Sequence, residues 1–315
     1  MYRAADRAGE LTLRVTAAQR IDARRGAEGV AELAARRDRV RGKRLRADAA
    51  KIFLDGDLEH HTAALLAPYA DRPGHGGELH LAPERLDALV ARLDAEGFQV
   101  HMHASGDRAI RAGLDAIERA IAANGPSDRR HQIAHVELPD PADVPRFRRL
   151  GVAADLQLLW AHADRSSTEI LAPALGAERH RRLRPVASIL ASGAVVVAGS
   201  DWPSPTMNPL EAIQIAITRR PLDGAGPAFA PEERANLADL LAAYTIAGAW
   251  IAREETTRGS IEAGKAADLV VLDRNLFEVE PAALGGVRVL WTLLDGESVH
   301  CDAERFPPCG AARSR

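Results

Sequence analysis

Two patterns of apolar positions alternate along this chain: short apolar runs that are typical of strands, and longer stretches with helical spacing. In one such stretch, residues 86–93 place leucine or valine every three to four positions, and the pattern ends at Gly97. The runs that predict strands are residues 11–15, 51–54, 98–103, 131–136, 152–156 and 195–198. Strands that alternate with helices in this way predict β/α units around a parallel sheet.

Beyond Gly199 the pattern changes, and strands outnumber helices towards the end of the chain. The dipeptide Asp295-Gly296 is a strong signal for a tight hairpin turn. We therefore expect a small β unit after the α/β part, followed by a loose end over residues 301–315. The elements predicted in this region are helices at 231–244 and 249–253, and strands at 268–272, 289–294 and 298–300.

The composition limits the classes of protein that remain. The 315 residues carry 41 basic and 44 acidic side chains, a net charge of −3, so there is no general electrostatic case for a nucleic-acid or membrane partner. No apolar run is long enough to span a membrane, and the N-terminus lacks the apolar stretch of a secretory signal. The only cysteines, Cys301 and Cys309, supply neither a disulfide framework nor a cysteine zinc site, so we expect a reducing, cytoplasmic location.

The densest basic stretch covers residues 36–46, with the sequence RRDRVRGKRLR. One interpretation is an RNA-binding patch. The other is a solvated helix end and loop in an arginine-rich protein. The second is favoured because no aromatic side chains that could stack on bases accompany the charges.

Histidines collect near the carboxyl ends of two predicted strands, at the edge where α/β barrels build their active sites. His101 and His103 are two residues apart and therefore share one face of their strand, with His103 nearer the rim. Two inward histidines favour a polar site over simple packing. His135 ends the next run and is the second candidate, whereas we expect His131, four residues earlier, to pack or form hydrogen bonds.

Asp201 and Lys51 complete the candidate set. Asp201 follows the run at 195–198, where it is either a turn residue or a metal ligand and general base. Lys51 opens its run and is an exposed edge residue, a Schiff-base nucleophile or a carbamylated metal bridge. Two imidazoles and a carboxylate suit zinc or a similar divalent ion that activates a bound water.

Five segments together resemble the metal-dependent amidohydrolase superfamily, and within it the amidohydrolase-3 branch of YtcJ-like proteins and N-substituted formamide deformylases. These segments are residues 51–71, 97–110, 130–138, 199–219 and 259–279. The resemblance extends over nearly the whole chain, from about residue 9 to residue 300. It implies a (β/α)8 barrel with an attached β-sandwich.

The resemblance also implies a role for single positions. His103 and His135 resemble the metal ligands of the fifth and sixth barrel strands. Asp201 resembles the eighth-strand carboxylate that contacts the metal and accepts a proton from the attacking water. Lys51 matches a fourth-strand lysine that is carboxylated in some relatives and bridges two metals. The implied cofactor is one or two divalent ions, with zinc as the first choice.

One departure from the family pattern changes the expected fold. Relatives carry a His-X-His pair on the first barrel strand, whereas the first histidine here is His60, after Lys51. Counting back from Lys51 makes the run at 11–15 the third strand. The expected fold class is therefore α/β, a partial TIM barrel of about strands 3–8 over residues 1–255. The C-terminal part of a small β-sandwich follows over residues 256–300, before the tail at 301–315.

A barrel that lacks two strands exposes two sheet edges. This expectation has three explanations: a fragment or a mis-started gene model, an N-terminal part supplied by a separate polypeptide, or a decayed copy of an active enzyme. The partner expected on these grounds is a complementing N-terminal chain or a second copy in a homo-oligomer.

The function that follows is metal-dependent hydrolysis of an amide-type, non-peptide C–N bond in a small molecule. Asp201 would carry a proton from the attacking water to the leaving amine. The alternative is a catalytically inactive partial barrel that serves as a structural or interaction subunit. A third interpretation, a lysine-dependent aldolase that uses Lys51, leaves the histidines without a role.

Overall fold

The computed structural model describes residues 1–22, 25–203 and 206–311. Its larger sheet contains six parallel strands, which neighbour one another in the order of the sequence. These strands are β1 (Val15–Arg20), β2 (Leu45–Phe53), β3 (Gln99–Ala104), β4 (Gln132–His135), β5 (Ala153–Leu156) and β6 (Val196–Ala198). Parallel neighbours need a crossover connection, so the predicted β/α units and parallel sheet are confirmed.

Helices connect the strands and cover the sheet. In chain order they are α1 (Tyr2–Ala8), α2 (Gly26–Val40), α3 (Pro83–Ala95), α4 (Asp107–Asn124), α5 (Val144–Leu150), α6 (Ala172–Arg181), α7 (Val186–Ala191), α8 (Pro209–Thr218), α9 (Leu237–Tyr244), α10 (Ile246–Ile251) and α11 (Pro307–Ala311). The helical spacing at 86–93 is confirmed by α3, which buries Leu86, Val90 and Leu93 in the main core. The same core contains Ile52, Val100 and other apolar side chains of the sheet.

A second sheet of three antiparallel strands lies near the end of the chain. It is formed by β7 (Leu269–Leu272), β8 (Val289–Leu294) and β9 (Glu297–Cys301). The turn between β8 and β9 has positive φ at both central residues, 53° at Asp295 and 81° at Gly296. This is the backbone of a type I′ hairpin, and it confirms the turn predicted from the Asp-Gly pair.

The first strand lies further along the chain than the predicted run at 11–15. β1 begins at Val15 and continues through a segment rich in alanine that has little intrinsic preference for strands. Its polar Gln19 is buried and donates from Nε2 to the carbonyl oxygens of Leu33 and Ala47, at 3.2 and 2.6 Å. These hydrogen bonds satisfy the amide nitrogen of the buried side chain and so offset part of the cost of burying it. A prediction from apolar patterning alone therefore placed this strand wrongly.

The helix predicted over residues 231–244 is interrupted. Pro231–Glu233 forms a single 3-10 turn, and α9 begins only after Asn236. The side-chain oxygen of Asn236 accepts a hydrogen bond from the backbone nitrogen of Asp239 at 2.9 Å. Asparagine at this position is a favourable N-cap, so Asn236 restarts the helix after the turn.

Residues 301–311 are more ordered than the loose end expected from the sequence. They include α11, and Cys309 in this helix is buried and joined to Cys301 by a disulfide bond. The sequence prediction does not contain this pairing, because two cysteines eight residues apart make no framework. Across the described ranges, none of the helices combines the length and apolar character that crossing a membrane requires.

Candidate active site

The carboxyl ends of β2, β3 and β4 open into a cavity of about 570 Å³. The register of the sheet brings these ends level, since Phe53 pairs with His103 and Ala104 pairs with His135. All four predicted site residues line this cavity, namely Lys51, His103, His135 and Asp201. The polar wall around them includes Asp57, Glu59, His60, Glu137, Asp164 and Arg184. A polar cavity at this edge of a parallel sheet is a usual location for a ligand site.

The two candidate histidines lie in direct contact. The ring centres of His103 and His135 are 4.5 Å apart, with the ring planes at 64°. On its other side, His135 stacks on Trp160, with ring centres 5.9 Å apart and planes at 7°. The structure therefore brings the side chains of His103 and His135 together at the ends of β3 and β4.

The backbone of β4 turns His135 into the cavity. In the sheet register His103 pairs with Ala134, so regular alternation would place the side chain of His135 on the opposite face from that of His103. Positive φ angles of 77° at His135 and 47° at Val136 break this alternation. Left-handed backbone is unfavourable for residues other than glycine, above all for a β-branched valine. Strained backbone of this kind is concentrated at functional sites.

Both histidines are neutral in this environment. Burial lowers the pKa of His103, and burial together with the nearby His103 ring lowers the pKa of His135 to about 4. The Nε2 of His103 donates to the carbonyl oxygen of Gly56 at 2.9 Å, so the free lone pair of this ring is on Nδ1. A neutral imidazole whose second nitrogen donates to a carbonyl is in the form that binds metals.

Lys51 lies on the same face of the sheet as His101, its partner in the register. Burial lowers the pKa of Lys51, while the negative charges of Asp155 and Asp201 oppose that shift. Asp155 is on β5, and its Oδ2 lies 3.7 Å from Nε2 of His101. That nitrogen is buried and has no hydrogen-bond partner among the described residues.

Asp155 was not among the site residues predicted from the sequence. Burial raises its pKa to about 6, and the Lys51 charge opposes the shift. The signal that could have revealed it is an acidic residue inside an otherwise apolar run at 152–156.

Asp201 lies at the rim of the cavity, just after β6. Its side chain is exposed, and its backbone has a positive φ of 52°. Its negative charge acts on both Lys51 and His135, and it raises the pKa of each against the effect of burial. A carboxylate that is open to solvent and electrostatically coupled to the two half-buried groups is placed to exchange a proton with a water in the cavity.

Asp55 ties together the loops that support the site. Its carboxylate is buried and accepts hydrogen bonds from the backbone nitrogens of Ala64, Ser105 and Gly106, at 2.9, 3.1 and 3.0 Å. Oδ1 of Asp55 also lies 3.5 Å from Nε2 of His103. Burial raises the pKa of Asp55 to about 7, although the three backbone hydrogen bonds oppose this shift. The sequence places Asp55 just after β2. Only the structure shows that its carboxylate holds three backbone nitrogens from two loops.

An ion pair that the sequence analysis did not identify forms part of the cavity wall. Arg184 donates from Nη2 to Oε2 of Glu137 and from Nη1 to the carbonyl oxygen of Trp160, both at 2.8 Å. Its backbone nitrogen also donates to the carbonyl oxygen of Glu137 at 2.7 Å. The two residues are 47 positions apart, so no local pattern relates them. The pair fixes the loop before α7 against the end of β4.

His131 plays the structural part expected of it. The side chain is buried, its Nδ1 accepts from the backbone nitrogen of Val100 at 3.0 Å, and its Nε2 lies 3.2 Å from Oδ1 of Asp94. Asp94 belongs to α3, so His131 joins the sheet to that helix. It does not line the cavity described above.

The donor atoms at the cavity are of types that suit a divalent ion, but few side chains supply them. His103 and His135 are neutral imidazoles, and Asp201 is a carboxylate on the same cavity. Over residues 1–22, 25–203 and 206–311, no three His, Cys, Asp or Glu side chains lie close enough together to hold a metal ion. A zinc site usually has three or four protein ligands. The pair therefore fits part of a metal site, in donor type and protonation state, without completing one.

Comparison with known sequences gives consistent matches. A profile described as the amidohydrolase family matches residues 1–300. Protein LONG AFTER FAR-RED 3 of Arabidopsis thaliana is 36% identical over 229 residues, which cover 72% of this chain and 39% of that protein. YtcJ of Bacillus subtilis (strain 168) is 31% identical over 264 residues, 84% of this chain and 49% of that protein. N-substituted formamide deformylase of Arthrobacter pascens is 30% identical over 260 residues, 80% of this chain and 45% of that protein.

The solved structures include a similar fold. An uncharacterized metal-dependent hydrolase from Pyrococcus furiosus superposes with a TM-score of 0.70 at 26% sequence identity. The match covers 86% of this chain and 53% of that one. The chain thus spans about half the length, or less, of these four relatives.

Proposed function

Because this chain belongs to the amidohydrolase family, we propose that its cavity hydrolyses an amide-type, non-peptide C–N bond in a small molecule. A divalent ion, with zinc as the first choice, would assist this reaction. The observation that carries the proposal is the contact between His103 and His135 in a cavity that Asp201 also lines. One relative is named an N-substituted formamide deformylase. A formamide is an amide of this class, which supports the choice of bond.

Four residues of the cavity have separate roles in the proposed hydrolysis. His103 and His135 would hold the ion, which supplies polarisation of the amide carbonyl and acidification of a water. Asp201 would accept a proton from a water in the cavity and deliver it to the leaving amine, since its carboxylate is reached by solvent at the cavity rim. As an ammonium group, Lys51 balances the charge of Asp201; as a carbamate it would instead carry a negative charge and be a further ligand.

We also propose an architecture for the complete site. The six parallel strands correspond to about strands 3–8 of a (β/α)8 barrel, and β7, β8 and β9 to the C-terminal part of a β-sandwich. The sequential parallel order and the half-length match to the Pyrococcus hydrolase support this view. The missing ligands would then come from a further polypeptide segment that pairs with β1, an edge strand of the described sheet.

Hydrolysis of N-benzylformamide and N-butylacetamide by the zinc-loaded chain tests the proposal. We expect Asp201→Asn to lower the rate at least 100-fold, in the range of a lost general acid–base group. The matched control is Asp164→Asn, on the wall of the same cavity, where the new amide oxygen can still cap the backbone nitrogen of Ser167. An Asp201→Asn variant as active as the unmodified protein would contradict the mechanism.

One observation favours a second candidate, a non-catalytic partial barrel that serves as a structural or interaction subunit. It is the lack of three adjacent metal-binding side chains within the described part of the chain. Both amides would then remain intact at saturating zinc, with and without a co-expressed segment that carries a His-X-His pair. Hydrolysis under either condition would exclude this candidate.

A further inference from the structure

We propose that Arg219, which is not among the residues that line the cavity, is a positioning residue for the candidate active site. Arg219 directly follows α8 and acts through Arg184. Arg184 in turn fixes Trp160, and Trp160 fixes the ring of His135. A role in catalysis rests on the proposed hydrolysis, whereas the effect of Arg219 on the geometry of the cavity can be measured without any activity.

The side chain of Arg219 is fully buried, which is unusual for a charged group. Its Nε donates to the carbonyl oxygen of Phe229 at 2.9 Å. Its Nη1 and Nη2 donate to the carbonyl oxygens of Arg184 and Leu183, at 3.0 and 3.3 Å. One planar guanidinium therefore joins the end of α8 to two other segments of the chain. The single nitrogen of a lysine side chain cannot make these three hydrogen bonds in the same directions.

The backbone of Arg184 is held from several sides. It has a positive φ of 53°, which is unfavourable for a residue other than glycine. Its nitrogen donates to the carbonyl oxygen of Glu137, and its own carbonyl oxygen accepts from the backbone nitrogen of Val186 as well as from Arg219. The guanidinium of Arg184 holds the Glu137 carboxylate and the carbonyl oxygen of Trp160. The loss of Arg219 would therefore loosen the backbone from which this side chain reaches into the cavity wall.

Two contacts lead from Arg184 to the candidate metal ligand. The first is its hydrogen bond to the carbonyl oxygen of Trp160 at 2.8 Å. The second is the stacking of the Trp160 ring on the ring of His135, with the planes at 7°. Because the backbone of His135 is left-handed, the stacked indole is one of the restraints on the direction of its ring. A displacement at Arg184 can thus reach His135 through a continuous series of packed groups.

The charge of Arg219 supplies a second argument. Burial lowers the pKa of Arg219 to about 10, and the positive charge of Arg184 adds to this shift, so the guanidinium is still charged at neutral pH. Within the described residues it donates only to carbonyl oxygens, whereas Arg184 has the Glu137 carboxylate as its partner. Burial of a charge without an opposite charge is costly. Packing alone does not require a cation here, and a role at the site accounts for it.

Fluorine NMR of the protein labelled with 5-fluorotryptophan tests the inference. The chain has four tryptophans, and Trp160→Phe assigns the signal of Trp160. Arg219→Lys keeps the charge and most of the stem, so it should fold, and we expect it to shift the Trp160 signal while that of Trp291 in β8 stays unchanged. The matched control is Arg129→Lys, since Arg129 is also buried but pairs with Asp94 on α3. It should leave the Trp160 signal in place.

The variant Arg184→Gln tests whether Arg219 acts through Arg184. Glutamine cannot reach both Glu137 and the carbonyl oxygen of Trp160, so this change should shift the Trp160 signal as well. Arg219→Lys added to Arg184→Gln should then change the signal little further. The inference would be overturned by a full additional shift, by an unmoved Trp160 signal in either single variant, or by an equal shift in the Arg129→Lys control.

Hydrolysis of N-benzylformamide by the zinc-loaded chain supplies a separate readout. Arg219→Lys should lower kcat about tenfold, because a displaced imidazole slows the chemical step. It should change KM by less than about twofold, which separates positioning from substrate binding. An unchanged kcat would overturn the role of Arg219 in the reaction. If the unmodified chain hydrolyses no amide, the proposed function fails, and the fluorine spectra alone decide whether Arg219 positions the cavity wall.

Discussion

The ring of His103 lies edge-on to the ring of His135, with centres 4.5 Å apart, although regular strand geometry would turn the two side chains to opposite faces of the sheet. Left-handed backbone at His135 and Val136 produces the contact. Such a conformation costs on the order of 1–2 kcal/mol for each residue that is not glycine. The end of β4 is therefore held against its local preference, at the point where the proposed site needs its second imidazole.

The strain at His135 predicts an inverted order of stability for two small substitutions. His135→Gly should be more stable than His135→Ala by about 1 kcal/mol, because glycine adopts a φ of 77° without steric cost. Denaturant titration of the two variants measures the difference. Ala134, the preceding residue of β4, is the control: there Ala134→Gly should lower stability, as is usual within a strand. An alanine variant at position 135 that is the more stable of the two would show that the backbone is not strained.

The loops that Asp55 holds together are too close for a side chain at Gly106. A Cβ at this position would lie 2.2 Å from the carbonyl oxygen of Ala64, which is backbone and cannot move aside freely. Gly106→Ala should therefore destabilise the protein by about 2–4 kcal/mol, comparable to an overpacked core or worse. Gly248 in α10 has nothing within 4 Å of a Cβ, so Gly248→Ala should raise stability by roughly 0.5–1 kcal/mol. Equal effects at the two positions would contradict the close packing of these loops.

The link between His131 and Asp94 predicts a loss of stability in acid. Burial alone would raise the pKa of Asp94, but its contacts with His131, Asn124 and Arg129 outweigh burial and lower the pKa to about 2. Since the folded pKa is below the unfolded value near 4, the stabilisation is complete above pH 4 and disappears as the pH falls towards 2. It amounts to roughly 2 kcal/mol.

Asp94→Asn should remove this acid dependence and lower the free energy of unfolding at pH 7. Urea titrations between pH 2 and pH 7 measure both effects. Asp38→Asn, whose side chain is 76% exposed, is the control and should change stability by less than about 0.5 kcal/mol. If the free energy of unfolding of Asp94→Asn depended on pH as that of the unmodified protein does, the contacts of Asp94 would not provide the predicted stabilisation.

Apolar periodicity was enough to predict α3 and the parallel sheet, and the Asp295-Gly296 dipeptide was enough to predict the hairpin turn, because in each case the local preference of the sequence agrees with the fold. Apolar periodicity placed β1 wrongly, since hydrogen bonds that Gln19 donates replace the apolar signal there. Alternation also gave no reason for His135 to face His103, because the contact depends on two strained backbone positions.

The rest of the candidate site depends on contacts between distant parts of the chain. Arg184 reaches Glu137 across 47 positions, and Asp55 reaches the backbone of Gly106 across 51. No pattern in a single sequence encodes such distances. Residue type and a position near a strand end singled out His103, His135 and Asp201, and the family resemblance added a role for Lys51; the structure places all four on one cavity.

Zinc binding to the 315-residue chain tests most directly whether His103 and His135 form the metal-binding part of the site. Titration with zinc, followed by calorimetry, should show one saturable site that is lost in His103→Ala and in His135→Ala. His60→Ala should retain it, because His60 lines the same cavity but is exposed and paired with Asp57 at 2.6 Å. Zinc binding that survives both of the first two substitutions, or no saturable binding at all, would contradict the account.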